Sequence, residues 1–155
     1  MNISFTSSGL TNSAVVDSTT GQLLFELSTP LLGLHRNTTL RDAQNNVIGV
    51  YKRGTIHDEV TYQGRTMRVS EWLLKNSVFS SSDIDAEVQL VDCQTGELVA
   101  NAHSKKLFST KKMNMDVVQN GLPILDAIVL SFLICELRLR REQDAANAAA
   151  AGASG

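Results

Sequence analysis

Cysteine is scarce in this chain, with Cys93 and Cys135 the two present in 155 residues. They form neither a ligand cluster nor a disulfide framework, and Cys135 lies inside an apolar run. A reduced, intracellular setting follows as the expectation, cytoplasmic or peripheral to a membrane. An excess of one charge is also missing. Fourteen Lys and Arg against sixteen Asp and Glu leave a formal net charge of −2, which gives no reason to propose nucleic acid as a partner. The opening residues MNISFTSSGL have no basic region and no apolar core, so no secretory signal is expected there. Without one, the triplets Asn2-Ile3-Ser4 and Asn37-Thr38-Thr39 carry little weight as glycosylation sites. Also absent are a P-loop, a dinucleotide-binding glycine pattern, His-Glu-x-x-His and a nucleophile elbow. His35, His57 and His103 are scattered, whereas a metal needs convergent ligands. No enzyme activity, cofactor or metal is expected. His57-Asp58-Glu59 is a dense polar group, but its place between two strand-like runs reads as a solvated hairpin connection.

What the chain does have is an apolar stretch at residues 122–139. Fourteen of its eighteen residues are apolar or proline, and Asp126, Ser131, Glu136 and Arg138 interrupt it. Apolar side chains would surround a helix here on nearly every side, so the helix has to be enclosed by protein or by lipid. A charged residue near the centre of a span costs about 2.5–3.5 kcal/mol. The preceding 120 or so residues supply an enclosure, so no transmembrane span is expected. Asn120-Gly121 breaks the preceding strand, and Pro123 suits a first helical turn. Asp126 near the start, with Arg138, Arg140 and Arg141 near the end, complements the helix dipole. Glu136 and Arg140 stand four apart in the favourable order.

Short β-prone runs precede this helix, at 3–5, 14–17, 23–27, 38–41, 47–52, 60–62, 66–69, 83–85, 87–91, 98–102, 107–109 and 113–118. Residues 70–75, with Trp72, read as a short helical turn or as more strand. Two turns share one spacing: Val16-Asp17 before Thr20-Gly21, and Val91-Asp92 before Thr95-Gly96. In each, aspartate caps its own turn and glycine takes a left-handed position. Gly64 serves the same need in a third hairpin. The expected fold is mostly β, a closed antiparallel β-barrel of about 10–12 short strands wrapped around a central hydrophobic C-terminal helix. Closure would remove the sheet edges and bury the helix together. The domain is expected over 1–143, with the helix at about 122–142 and a flexible Ala/Gly-rich tail over 144–155.

Four stretches together resemble a known family. They are Ser28-Thr29-Pro30, Thr38-Thr39-Leu40, Val69-Ser70-Glu71-Trp72-Leu73, and Leu125-Asp126-Ala127-Ile128-Val129 running through Phe132 and Glu136 to Leu137-Arg138-Leu139-Arg140-Arg141-Glu142. From about Ile3 to Glu142 the chain resembles the uncharacterised fungal family DUF6593. That family is similar to the Tubby C-terminal and LURP-one-related superfamily. The resemblance implies a barrel around a central helix (a Tubby C-terminal-like fold). Tubby domains recognise phosphoinositide headgroups, and phospholipid scramblases look like distant relatives. Family members often carry Phe, then Pro-Asp-Gly, then Tyr-x-Trp in mid-chain. Here Phe79 is followed by Ser80-Ser81-Ser82-Asp83, with Val88 and Leu90 where the aromatic pair would stand. Val50-Tyr51 likewise stands near the usual place of a tryptophan in the second hairpin.

The basic residues supply the binding clue. Lys105, Lys106, Lys111 and Lys112 flank residues 107–110, and Lys52, Arg53, Arg65 and Arg68 occupy other hairpins. Gathered on one face, each would contribute about 1 kcal/mol against an anionic leaflet. Lysine pairs also protect sheet edges from pairing with other chains. The expected function is a noncatalytic binding domain, with an anionic phospholipid or an unidentified protein as partner. The lipid version places headgroups on Lys105, Lys106, Lys111, Lys112, Arg65 and Arg68. The alternatives are a protein-interaction module that binds no lipid and a scramblase-like, membrane-anchored protein that inserts its apolar helix.

Overall fold

Strand alternation settles which side chains face inward. In β1 (Asn2–Phe5), Ile3 and Phe5 are buried while Asn2 and Ser4 are not, and in β10 (Asn114–Val117) Met115 and Val117 take the inward places. The intervening strands are β2 (Ser13–Asp17), β3 (Leu23–Ser28), β4 (Asn37–Asp42), β5 (Val47–Lys52), β6 (Glu59–Tyr62), β7 (Arg65–Arg68), β8 (Glu87–Val91) and β9 (Leu98–His103). A helix α1 (Val69–Asn76) follows β7, and a 3-10 turn (Gln119–Ile124) leads into the long helix α2 (Leu125–Gly152). The computed structural model describes residues 1–7, 9–30, 37–76, 87–92, 94–103 and 113–152. The strands expected at 83–85 and 107–109 lie outside these residues.

All ten strands join one antiparallel sheet in the order β7-β6-β5-β4-β3-β2-β1-β10-β9-β8. Among the described residues the sheet is open: β7 and β8 are its two edges and no ladder joins them, so the expected closed barrel is not formed there. Nor is the fold mostly β in the sense expected, because α2 alone takes 28 residues. The fold is an open antiparallel sheet combined with a long helix.

Burying an apolar helix requires cover on every side, and closing the hydrogen-bond ladder is one of several ways to supply it. The ten consecutive residues Ala127 to Glu136 are all buried. Part of their cover comes from α1. β7 ends after four residues, three of them exposed, and the chain turns helical at Val69. Trp72, only 2% exposed, then donates Nε1–H to Ser131 Oγ at 2.9 Å, which satisfies both polar groups inside the core. Tyr62 packs edge-on against the same indole, with ring centroids 4.9 Å apart. Where α2 passes β5, Gly49 makes room, since a Cβ there would lie 2.7 Å from Leu130 Cδ2.

The ends of α2 differ from expectation in detail. Pro123 sits in the 3-10 turn rather than in α2, which starts at Leu125. Residues 142–152 are helical and exposed. Among the described residues, no helix is long and apolar enough to cross a membrane.

Candidate functional site

The register gives the sheet two distinct ends. Hairpin turns 17–23, 42–47, 62–65 and 91–98 lie at one end, beside the 3-10 turn and the start of α2. α2 crosses the sheet and leaves at the other end, next to Asn12, Pro30, Tyr51 and the 53–58 connection.

At this exit a buried carboxylate ties the helix down. β5 directs Tyr51 inward and Lys52 outward, and the chain returns through a short loop to Asp58, which is 9% exposed. Asp58 Oδ2 accepts from Tyr51 Oη at 2.8 Å and Oδ1 from the Gly54 N–H at 3.1 Å, and Arg141 Nη1 lies 3.2 Å from Oδ2. Burial alone would raise the Asp58 carboxyl. The bonds from Tyr51 and Gly54, together with Arg141, outweigh it and hold the group below the usual carboxylate range. Burial, followed by the neighbouring Asp58 carboxylate, pushes the Tyr51 phenol up, so it remains a donor. Outside this cluster, Lys52 and Glu59 make a solvated pair at 3.5 Å.

Two clefts flank Arg141. One, of about 170 Å³, has Thr29, Thr38, Tyr51 and Arg53 in its wall, along with Arg141 and Leu137. The Thr29 and Thr38 hydroxyls are hydrogen-bonded to each other at 2.8 Å. The second, of about 330 Å³, is lined by Thr55, His57, Asp58, Ser70, Arg138 and Arg141. Small-molecule sites usually run from roughly 300 to 1,000 Å³, so the first cleft is below that range and the second at its lower end, room for a small group rather than a large ligand. Arg53 and Arg138 have no ion-pair partner among the described residues. At the tip of the same loop Ile56 is 92% exposed. The arrangement joins cationic donors, hydroxyl groups and a projecting apolar side chain at one end of the molecule.

Of the residues singled out in the sequence for lipid binding, Arg65 and Arg68 both lie on edge strand β7, exposed and at opposite ends of it. Lys105, Lys106, Lys111 and Lys112 lie outside the described residues, as does His35. His57 is exposed, while His103 Nε2 pairs with Asp116 Oδ2 at 2.8 Å. Asp126 bonds its neighbour's backbone, the Ala127 N–H at 2.8 Å, and also receives Tyr62 Oη at 2.8 Å. The Glu136–Arg140 pair forms at 2.9 Å. Among the described residues no group of three His, Cys, Asp or Glu side chains is arranged to hold a metal.

Sequence reasoning missed the inward turn of Asp58, which it placed in a solvated loop. It also read Arg138 and Arg141 as dipole partners or an interfacial anchor at the end of the helix, and did not bring them together with Arg53. The available signal was the clash between His57-Asp58-Glu59, a polar run, and the apolar Val60 that fixes the register of β6. With Val60 buried, its second neighbour Asp58 falls on the same inward face.

The chain belongs to a family of unknown function, DUF6593, whose model matches residues 8–141. No curated protein matches the sequence. Among solved structures, the fold is similar to the X-ray structure of a protein from Arabidopsis thaliana. The TM-score is 0.54 at 15% identity, covering 86% of this chain and 90% of that one.

Proposed function

We propose that this domain is a noncatalytic module that recognises anionic phospholipid headgroups at the exit of α2. The observation that carries the reading is the convergence of Arg53, Arg138 and Arg141 on two small clefts beside the exposed Ile56. Cationic side chains at an anionic leaflet contribute about 1 kcal/mol each, and an apolar tip adds insertion into the interface. The other end of the sheet carries Asp17, Asp42 and Asp92 in its turns, so an anionic surface would favour approach by the exit end. Lys105, Lys106, Lys111 and Lys112, outside the described residues, stay within the proposal on the sequence alone. Kinship with the Tubby C-terminal and LURP-one-related superfamily, proposed on the common plan of a buried helix under an antiparallel sheet, points to the same ligand class.

Cosedimentation with vesicles tests the reading. Phosphatidylcholine vesicles should leave the protein in solution. Vesicles that also contain phosphatidylserine or a phosphoinositide should bring it down at low salt and release it at high salt. Ile56→Asp should weaken binding without a loss of melting temperature. A folded protein that ignores both vesicle types, or binds both alike, would overturn the proposal.

A second reading, a protein-interaction module, draws on β7 and β8, the edges of the sheet among the described residues, where an added strand would pair. It predicts that partner binding is insensitive to the exit arginines. Anchoring by insertion of α2 draws less support, because it would strip the cover from ten buried residues.

A further inference from the structure

We propose that Ser70 is a regulatory phosphorylation site whose phosphate occupies the larger exit cleft. Ser70 is exposed, stands second in α1, and lines the 330 Å³ cleft together with Thr55, His57, Arg138 and Arg141. Two residues before it, Arg68 is exposed on β7 and offers a kinase a cationic residue to read. Arg138, with no carboxylate partner among the described residues, and Arg141, shared with Asp58, bring the cationic donors that a phosphomonoester seeks. Negative charges nearby include Glu71, exposed beside Ser70, Glu59, opposite Arg68 and paired with Lys52, Glu142, which shares a cleft with Arg138, and Asp58, already bonded to Arg141, Tyr51 and Gly54. Phosphate there would complete the cationic cluster from within the chain.

The chemistry is ordinary kinase transfer from ATP. The bond between the γ-phosphorus and the bridging oxygen breaks, a bond from Ser70 Oγ to that phosphorus forms, and ADP and the serine proton leave. The regulatory consequence rests on the lipid reading above. Phosphoserine and an anionic headgroup would compete for Arg138 and Arg141, so phosphorylation would release the domain from a membrane.

Three measurements on the full chain test this. Incubation with ATP and a kinase that selects serine two residues after arginine should add one phosphate to the folded protein, at Ser70, and none to Ser70→Ala. Modification of a peptide spanning residues 65–76 but not of the folded protein would overturn the site. Next, phosphoserine placed at position 70 by genetic encoding would be followed by ³¹P NMR. Its second ionisation, ordinarily near about pH 6, should fall below that of the phosphopeptide and return toward it in Arg138→Gln. Coincident titration curves would overturn occupancy of the cleft. Finally, the phosphorylated protein should bind anionic vesicles about tenfold more weakly than the unmodified one, and equal binding would overturn the regulation. If the unmodified protein fails to bind vesicles, the lipid reading falls, and the ³¹P titration still decides the site.

Discussion

At the start of α2, Asp17 and Asp92 turn their carboxylates onto the N–H groups of their own hairpins. At its exit, Arg53 and Arg138 line clefts with no ion-pair partner among the described residues. In these two turns the carboxylates are satisfied by neighbours in sequence. Thr19 and Thr20 donate to Asp17 at 2.7 and 3.0 Å, and Gln94 and Thr95 donate to Asp92 at 2.7 and 3.3 Å. Gly21 and Gly96 both take a φ of 72°. The exit end depends on residues far apart in the chain: Asp58 meets Arg141 across 83 positions. Pairing within a turn engages its carboxylate locally, while at the exit Arg53 and Arg138 leave charge available for a ligand.

Substitutions at the two ends should therefore separate stability from binding. The largest loss of stability is expected at the turn end with Gly121→Ala. Its methyl would meet Val99 O at 2.6 Å and Ile128 Cδ1 at 2.9 Å. A cost of about 1–3 kcal/mol in a urea melt follows, with vesicle binding of the folded fraction unchanged. At the exit, Arg53→Gln with Arg138→Gln should cost about 2 kcal/mol of binding to anionic vesicles, roughly thirtyfold. Its melting temperature should stay near that of the parent, because neither arginine has an ion-pair partner among the described residues. A double variant that binds normally would erase the contrast between the ends. Gly96→Ala should cost about 1–2 kcal/mol for placing a side chain at positive φ, again without effect on binding.

The smallest effect concerns pH. The folded value of Asp58 is depressed, so the stability it contributes is present above the ordinary aspartate pKa of about 3.9 and is lost as pH falls through the folded value. Asp58→Asn should lower the melting temperature at pH 7 and narrow the difference between pH 7 and pH 3. An unchanged pH profile would show that Arg141 is held by something other than this carboxylate.

Much of the architecture was legible in advance where the signal was local. The paired Asp-x-x-Thr-Gly turns form alike, and the apolar run around Ile128 to Cys135 is buried on all sides. Closure of the sheet was not legible. The strand expected at 66–69 forms as β7 (Arg65–Arg68), and only its last residue, Val69, opens α1, which carries Trp72 onto Ser131 and the helix. The exit site was only partly legible. Arg53 stood out as one of several basic residues, but nothing local placed it with Arg138 and Arg141.

By itself, then, the sequence determined the period of each strand, the chemistry of the turns and the need to enclose α2, because each rests on residues a few positions apart. The tertiary structure decided that the sheet stays open, that Asp58 is drawn inside, and that three arginines meet at one exit. Those outcomes depend on how strands in register bring distant segments together around a helix, and no spacing along the chain encodes that distance.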